Sequence, residues 1–365
     1  MWTYNNPVAI HAGAASLDQL PQLLRGRSCL LVTFPEAAAL GLVQRLQSLL
    51  GAQLKGVVSD IAPNPDVRWL APLYERIHAE HGDVECIVAL GGGSAIDTAK
   101  TLQCKVASGR FGDLLAALQS GAMLPAGGHK ALIAVPTTAG TGSEVTPWAT
   151  VWDQERNRKY SLHQPWTWPE AAVIDPSLMQ SLPAGVTLAS GLDALSHAME
   201  SLWNVHRNPV SEALAVAAAR SIVRTLPGLM QDLGSAALRA DMAHAALLAG
   251  LAFSNTRTAL AHSLSYDLTL RFGVAHGIAC SFTLPLVLEM ALGADSATDA
   301  ALLAIFDART GIEAAERLRA FLLDLGVSTD PAHYGVAPQE WEPMVQSAAR
   351  GPRGRNFIRA LASPA

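Results

Sequence analysis

No run of basic residues occurs in the chain. Its 26 lysines and arginines stand against 31 aspartates and glutamates, a formal net charge of -5 spread along the sequence. That distribution argues against nucleic acid as a partner. Cysteine is scarce: Cys29, Cys86, Cys104 and Cys280 show neither a CxxC pair nor the spacing of a disulfide framework. Reduced thiols in a cytoplasmic protein are therefore expected. The opening MWTYNNPVAIHAG has no basic stretch followed by an apolar one, so no signal peptide is expected. No segment offers about 18 uninterrupted apolar residues, the length a membrane span needs. Internal repeats and low-complexity tracts are missing too. Only 16% of residues are charged while half are hydrophobic, which suits a well-buried core, and 365 residues suit one large or two ordinary domains.

The first half alternates β-rich runs with helical patterns. SCLLVTF (28–34), QLKGVV (53–58), VECIVALGGG (84–93) and KALIAVPTT (130–138) read as strands. AAALGLVQRLQSLLG, the stretch Asp66 to His81 and SAIDTAKTLQCKVAS read as helices between them. That alternation predicts a parallel sheet with crossover helices. From about Pro183 the chain turns rich in Ala and Leu; SEALAVAAARSIVRTLPGL, RADMAHAALLAGLAFSN and AALLAIFDARTG have helical periodicity. Asp175-Pro176, Pro183 and Gly185 mark a boundary. The expectation is an α/β nucleotide-binding domain over 1–180 and an all-helical domain over 181–365. A cleft between two such halves is the natural place for a site, and the tail beyond about Ala360 is expected to fray.

GGGSAID (91–97) follows a strand and opens a helix. Three glycines let the backbone approach a bulky anion, and the N–H groups near Ser94 can bind a phosphate. The pattern is neither GxGxxG nor a P-loop. A second polar loop, PTTAGTGSEVT (136–146), carries Thr137, Thr138, Thr141 and Ser143, whose hydroxyls suit ribose, pyrophosphate or carboxamide. Carboxyl ends of adjacent parallel strands are where open α/β sheets bind ligands.

In GLDALSHAMES, Asp193 and His197 are spaced i, i+4 and project from one helix face. His262 and His276 follow in AHSLSYDLTLRFGVAHG, fourteen residues apart. A single histidine on an apolar helix is usually a hydrogen-bonded core or surface residue. One carboxylate and three imidazoles downstream of a cofactor loop instead suit a divalent metal.

GGGSAID, PTTAGTGSEVT, GLDALSHAMES and the paired histidines ending in HG, in this order, resemble the iron-containing (group III) alcohol dehydrogenase family, from about residue 5 to 350. The resemblance implies a Rossmann-like N-terminal α/β domain and a C-terminal helical domain, an architecture shared with dehydroquinate synthase. It implies a divalent metal, Fe²⁺ ahead of Zn²⁺, held by Asp193, His197, His262 and His276. It also implies NAD(P) contacts at Gly92, Gly93, Ser94, Asp97, Thr137, Thr138, Thr141, Ser143 and Lys159. A small-molecule aldehyde or alcohol as substrate and a homodimer complete the expectation, with no nucleic acid and no membrane.

The chain departs from the family pattern twice. Many members carry a further histidine four residues after the third ligand, proposed to move the proton; here Tyr266 stands there as the catalytic candidate. A phenol with a reference pKa of about 10 serves poorly at neutral pH unless perturbed, and water or a ribose hydroxyl are alternative proton sources. NAD-preferring members often carry an aspartate after the first strand for the adenosine 2′-hydroxyl; VTFPE places Phe34 there, with Glu36 nearby. Without that carboxylate a 2′-phosphate is not repelled, so NAD versus NADP stays open with a lean to NADP.

TRTALAHSLSYDLTLRFGVAHG resembles the branch that reduces phosphonoacetaldehyde to 2-hydroxyethylphosphonate, an activity of phosphonate metabolism. A dianionic substrate needs cations, and guanidinium suits it. Arg257, five residues before His262, is favoured, with Arg271 five before His276; Arg350, Arg353 and Arg355 cluster in the tail. His163 reads as a surface-loop residue and Glu200 as a support or helix-surface group rather than a ligand. The alternatives are a general alcohol dehydrogenase, a maleylacetate reductase-like or glycerol dehydrogenase-like enzyme, and more distantly a dehydroquinate synthase-like lyase.

Overall fold

A computed structural model describes residues 1–125, 127–156 and 158–359; the expected fraying beyond Ala360 lies outside the described residues. Two compact units form. One comprises Pro7–Thr138 and Ser143–Met179, the other Met1–Asn6, Ala139–Gly142 and Gln180–Ala365.

The first unit is built on eight strands: β1 (Ala9–Ala12), β2 (Cys29–Thr33), β3 (Leu54–Val58), β4 (Cys86–Gly91), β5 (Ala131–Pro136), β6 (Trp148–Asp153), β7 (Arg158–His163) and β8 (Ala171–Ile174). Six make one sheet in the order β1-β8-β5-β4-β2-β3, all pairs parallel, while β6 and β7 form an antiparallel hairpin. Side chains alternate across the sheet. Leu30, Val32, Ile87, Ala89 and Leu132 pack with Leu70, Tyr74 and Ile96 on one face. Leu31, Val88 and Ile133 pack with Leu20 and Leu46 on the other. A parallel sheet covered on both faces needs apolar residues in both phases, which is why its strands read as unbroken hydrophobic runs.

Chain order reverses between β2 and β4, the point where open α/β sheets present ligand sites at their carboxyl ends. Phe34 follows β2 there, and Gly92 and Gly93 follow β4. The four strands read from the sequence are β2 to β5. Strands β1 and β8 have only four residues each, too few to show a period, and the hairpin carries no two-residue turn signal.

The second unit is helical. Helices Ala184–Leu202, Pro209–Gln231 and Ala236–Thr256 pack on one another. Asn208 starts the second by accepting from the Val210 and Ser211 N–H groups, with Pro209 at the first helical position. By length and composition Pro209–Gln231 and Ala236–Thr256 could cross a membrane; here they are core helices of a bundle, interrupted by charges such as Arg220 and Asp241. Helices Leu260–Phe272, His276–Ser281 and Pro338–Arg350 continue the unit. The chain is therefore a Rossmann-like parallel α/β domain followed by a helical one.

One close approach is strict. A Cβ on Gly277, beside His276, would fall on the Ala189 carbonyl oxygen, which is backbone and cannot swing away. Gly277→Ala should destabilise the helical unit by about 1–3 kcal/mol or more, read as a lowered melting temperature.

Candidate active site

Helix Ala184–Leu202 is buried on every side from Gly191 onward, although that stretch carries Asp193, His197 and Glu200. Polar groups on a fully buried helix need partners, and these have one another. Asp193 Oδ1 lies 3.3 Å from His262 Nε2, 3.8 Å from His276 Nε2 and 3.9 Å from His197 Nε2. The His197 ring stacks on His262 at 4.6 Å between centroids, and on its other side on Phe253 at 4.1 Å. The four side chains thus meet around one carboxylate oxygen.

None of these approaches is a hydrogen bond. Asp193 Oδ1 and His262 Nε2 are both buried without a hydrogen-bond partner among the described residues, as is His197 Nδ1. Glu200 explains why. Its Oε2 sits 2.6 Å from His262 Nδ1 and accepts the Ala259 N–H, while Oε1 accepts the N–H groups of Ala261 and His262. With Nδ1 donating to Glu200, His262 turns its Nε2 lone pair toward Asp193, so two acceptors face each other. Donors that share one cation at about 2.1 Å stand about 3.0–4.2 Å apart, the range seen here. Orphaned acceptors at that spacing fit a divalent ion, with Glu200 fixing the ring of one ligand from behind.

The electrostatics agree. Burial alone would raise Asp193, yet His197, His262 and His276 hold it well below the usual carboxylate range. Burial pushes His197 down to about 4 and keeps it neutral, as a ligand must be. Burial opposes charge on His262 as well, but Cys280, Glu200 and Asp193 together carry it well above the ordinary histidine value. The pull that favours a proton at this ring would equally favour a metal cation. Cys280 escaped the sequence reading. Its sulfur lies 3.7 Å from His276 Nε2, and its ligand atom groups with those of Asp193, His262 and His276 within 4.8 Å. Burial raises this thiol, but His262 and His276 outweigh it and bring it to about 7. The available signal was its position four residues after His276.

In the α/β unit the two polar loops meet. Gly91 pairs with Pro136 at the ends of β4 and β5, and the Thr137 N–H donates to the Gly91 carbonyl at 3.0 Å. A Cβ on Gly92 would press to 3.2 Å from Thr138 Cγ2, and Gly91, at φ +155°, would put one 2.7 Å from Ala95 Cβ. Gly93 and Ser94 open helix Gly93–Gln103, whose first N–H groups have no helical acceptor. This cradle fits a dinucleotide's pyrophosphate. Ser94 Oγ accepts from the Asn64 N–H. Asp97 and Ser143 hold each other at 2.7 Å, and Asp97 also accepts the Thr150 N–H. Lys159 lies over the Trp152 ring at 5.2 Å. Thr141 falls in Ala139–Gly142, the short segment grouped with the helical unit, where Gly142 meets Phe253. Lys100 was missed by the sequence reading: wholly buried, it donates to the carbonyls of Ser143, Thr146 and Trp148 and to Ser143 Oγ, tying the second loop to the helix.

The remaining predicted residues scatter. Arg271 is exposed and pairs with Glu340 at 2.6 Å. His163 ends β7 and stacks on Trp148 across the hairpin. Tyr266 lies one turn beyond His262 on helix Leu260–Phe272. Arg257 is exposed and joins helices Ala236–Thr256 and Leu260–Phe272 at φ +69°, ψ 174°. Glycine alone reaches that region easily, and any other residue there costs about 1–3 kcal/mol.

A buried carboxylate–imidazole cluster in a helical domain, with a nucleotide cradle on a parallel sheet, defines a metal-dependent dinucleotide oxidoreductase. The model of iron-containing alcohol dehydrogenase matches residues 7–176, and that of the Fe-containing alcohol dehydrogenase family, C-terminal part, matches 187–360. The chain belongs to the iron-containing alcohol dehydrogenase family. It is 33% identical over 367 residues to long-chain-alcohol dehydrogenase 1 of Geobacillus thermodenitrificans, covering 95% of this chain and 90% of that one. It is 38% identical over 232 residues to phosphonoacetaldehyde reductase of Streptomyces viridochromogenes, covering 62% and 58%. The structure of sulfoacetaldehyde reductase from Bifidobacterium kashiwanohense in complex with NAD⁺ superposes with a TM-score of 0.90 at 27% identity, over 99% of this chain and 96% of that one.

His262→Ala should abolish tight metal binding. Glu200→Gln, which leaves the four-residue cluster intact, should weaken it about 10–100-fold. Metal analysis of the purified variants checks both.

Proposed function

We propose that this oxidoreductase reduces phosphonoacetaldehyde to 2-hydroxyethylphosphonate, with Asp193, His197, His262 and His276 holding a divalent cation, iron(II) ahead of zinc. The aldehyde takes a hydride and a proton and becomes a primary alcohol; NAD(P)H becomes NAD(P)⁺. The observation that carries the substrate is Arg257. An exposed guanidinium, with no ion pair among the described residues, stands at a strained backbone position just ahead of the ligand helix. A residue kept where glycine would fit better is explained by what its side chain binds. The relative named phosphonoacetaldehyde reductase supports this, and so does the structural neighbour named sulfoacetaldehyde reductase, whose substrate is also an aldehyde with a tetrahedral oxyanion.

When bound, the cation supplies Lewis acidity to a carbonyl oxygen and the reduced nicotinamide supplies the hydride. The chain's own residues prepare for both. Glu200 locks the His262 tautomer; Phe253 and His262 sandwich His197 and keep it from turning. Gly92, Gly93, Ser94 and the Thr137–Thr138 step receive the dinucleotide, while Asp97, Ser143 and Lys100 brace the loop around it. Tyr266 is the chain's candidate for handling the product proton, with water or a ribose hydroxyl as its alternatives. Phe34, packed beside Gly91 at the end of β2, offers no carboxylate to a ribose 2′-hydroxyl, which favours NADP. The long-chain-alcohol dehydrogenase match, spanning more of the chain, favours a simple alcohol as the second reading.

Phosphonoacetaldehyde should exceed acetaldehyde in kcat/KM by about tenfold or more, the worth of one charge-assisted hydrogen bond. Equal values would establish the second reading. Chelation should abolish turnover. At equal concentrations NADPH should outperform NADH, and the reverse preference would give the nucleotide role to Glu36 or to backbone contacts.

A further inference from the structure

Beyond helix Pro338–Arg350 the chain turns back as a strap with little freedom. The Val205 N–H donates to the Asn356 carbonyl at 2.8 Å, and the Ile358 N–H to the Trp203 carbonyl at 2.9 Å. Asn356 Nδ2 donates to the Thr258 carbonyl at 2.8 Å, and Ser263 Oγ to the Ala348 carbonyl at 2.7 Å. A Cβ on Gly354 would strike the carbonyl oxygens of Ala348 and Ala349. The strap is thereby fastened to the residues flanking the ligand helix, and Arg353 rides on it. Its guanidinium carbon lies 5.0 Å from the centre of the Tyr266 ring, one helical turn from His262.

This guanidinium has no hydrogen bond or ion pair among the described residues. The carboxylate that acts on it is Glu200, but Glu200 is already committed to three backbone N–H groups and to His262 Nδ1. A second guanidinium, Arg257, acts on it as well. Asn204 Nδ2 holds the Arg257 carbonyl at 3.1 Å, so both arginines project from backbone anchored around Asn204. Burial, together with Arg257, pushes Arg353 down to about 10, although Glu200 pulls the other way. Yet the side chain keeps some contact with solvent. Two guanidiniums brought together without a carboxylate between them are costly unless an anion takes its place.

We propose that Arg353, stacked on Tyr266 and acting with Arg257, holds the phosphonate of the substrate and determines specificity for it. The inference rests on the substrate reading above and extends it to a residue outside the ligand helix. It also explains Tyr266, where many relatives have histidine: the ring is the platform that fixes Arg353 by cation–π contact. Charge selects the anion. Asp193 and Glu200 offset the two arginines, so a divalent cation leaves the pocket positive by two, which a phosphonate dianion neutralises and a sulfonate monoanion does not.

Calorimetry on the metal-loaded enzyme without nucleotide should compare 2-hydroxyethylphosphonate, 2-hydroxyethanesulfonate and 1-propanol. The phosphonate should bind most tightly. Arg353→Met should weaken it about 10–100-fold, lower the kcat/KM ratio of phosphonoacetaldehyde to propanal by the same factor, and leave the melting transition cooperative. Arg353→Lys, a point charge without the fork, should fall between and carries the test if the methionine variant does not fold. Arg257→Gly should weaken the phosphonate while raising the melting temperature, because strain is relieved as a contact is lost. An unchanged phosphonate Kd in folded Arg353→Met, an equal loss for 1-propanol, or equal binding of sulfonate and phosphonate would overturn the proposal. If the wild type showed no preference for phosphonoacetaldehyde yet bound the phosphonate through Arg353, the substrate would fall and the anion site stand. A preference that survived Arg353→Met would sink the anion site alone.

Discussion

One buried carboxylate oxygen organises the helical domain. Asp193 Oδ1 has no hydrogen-bond donor, and three imidazole nitrogens approach it within 3.9 Å. In a protein interior that arrangement is repulsive until a cation enters. The surroundings follow from holding it. Glu200, two turns along the same helix, gathers four hydrogen bonds so that its own charge is tolerated underground and the His262 ring is fixed. Gly277 lets helix His276–Ser281 come against the Ala189 carbonyl, which places His276. Small residues at such crossings are what allow two ligand-bearing helices to approach.

The α/β domain reaches its end by different means. Nothing in the Gly91–Ser94 turn relies on a charged side chain; the binding groups are backbone N–H groups bared by glycines at the start of a helix. Side chains brace it instead. Lys100, Asp97 and Ser143 form a closed buried network whose work is to hold a loop still. Asp97 therefore stands one step behind the cofactor surface that its place in the motif suggests. Such bracing keeps a backbone-lined site in shape when the ligand is absent.

The arginines illustrate how charge is sorted. Arg271 meets an acidic partner on the surface, as most guanidiniums do. Arg257 and Arg353 do not, and both belong to backbone fastened near Asn204. A positive φ at Arg257 and a missing partner at Arg353 are two independent departures from comfortable structure, found within one stretch of the fold. Functional sites are where such local conflicts persist.

Much was readable in one dimension because it depends on short-range regularity. The i, i+4 spacing of Asp193 and His197 specifies one helix face, the unbroken apolar runs of β2, β4 and β5 specify a doubly covered sheet, and the glycines after β4 specify a backbone-lined turn. The sequence alone also named His262 and His276, through an ordered set of motifs rather than geometry. What it could not supply depends on contacts between distant segments. Strands β1 and β8 are four residues each and exist as strands only because the sheet pairs them. Glu200 looked like a helix-surface group until residues 259–262 closed over it, and Cys280 looked inert until His276 was placed beside it. Arg353 was one of several tail arginines; only the strap's hydrogen bonds to Trp203, Val205 and Thr258 set it above Tyr266. Periodicity and turn chemistry are local and survive in a string of letters, whereas burial, charge pairing and strain arise when the folded chain brings separate segments together.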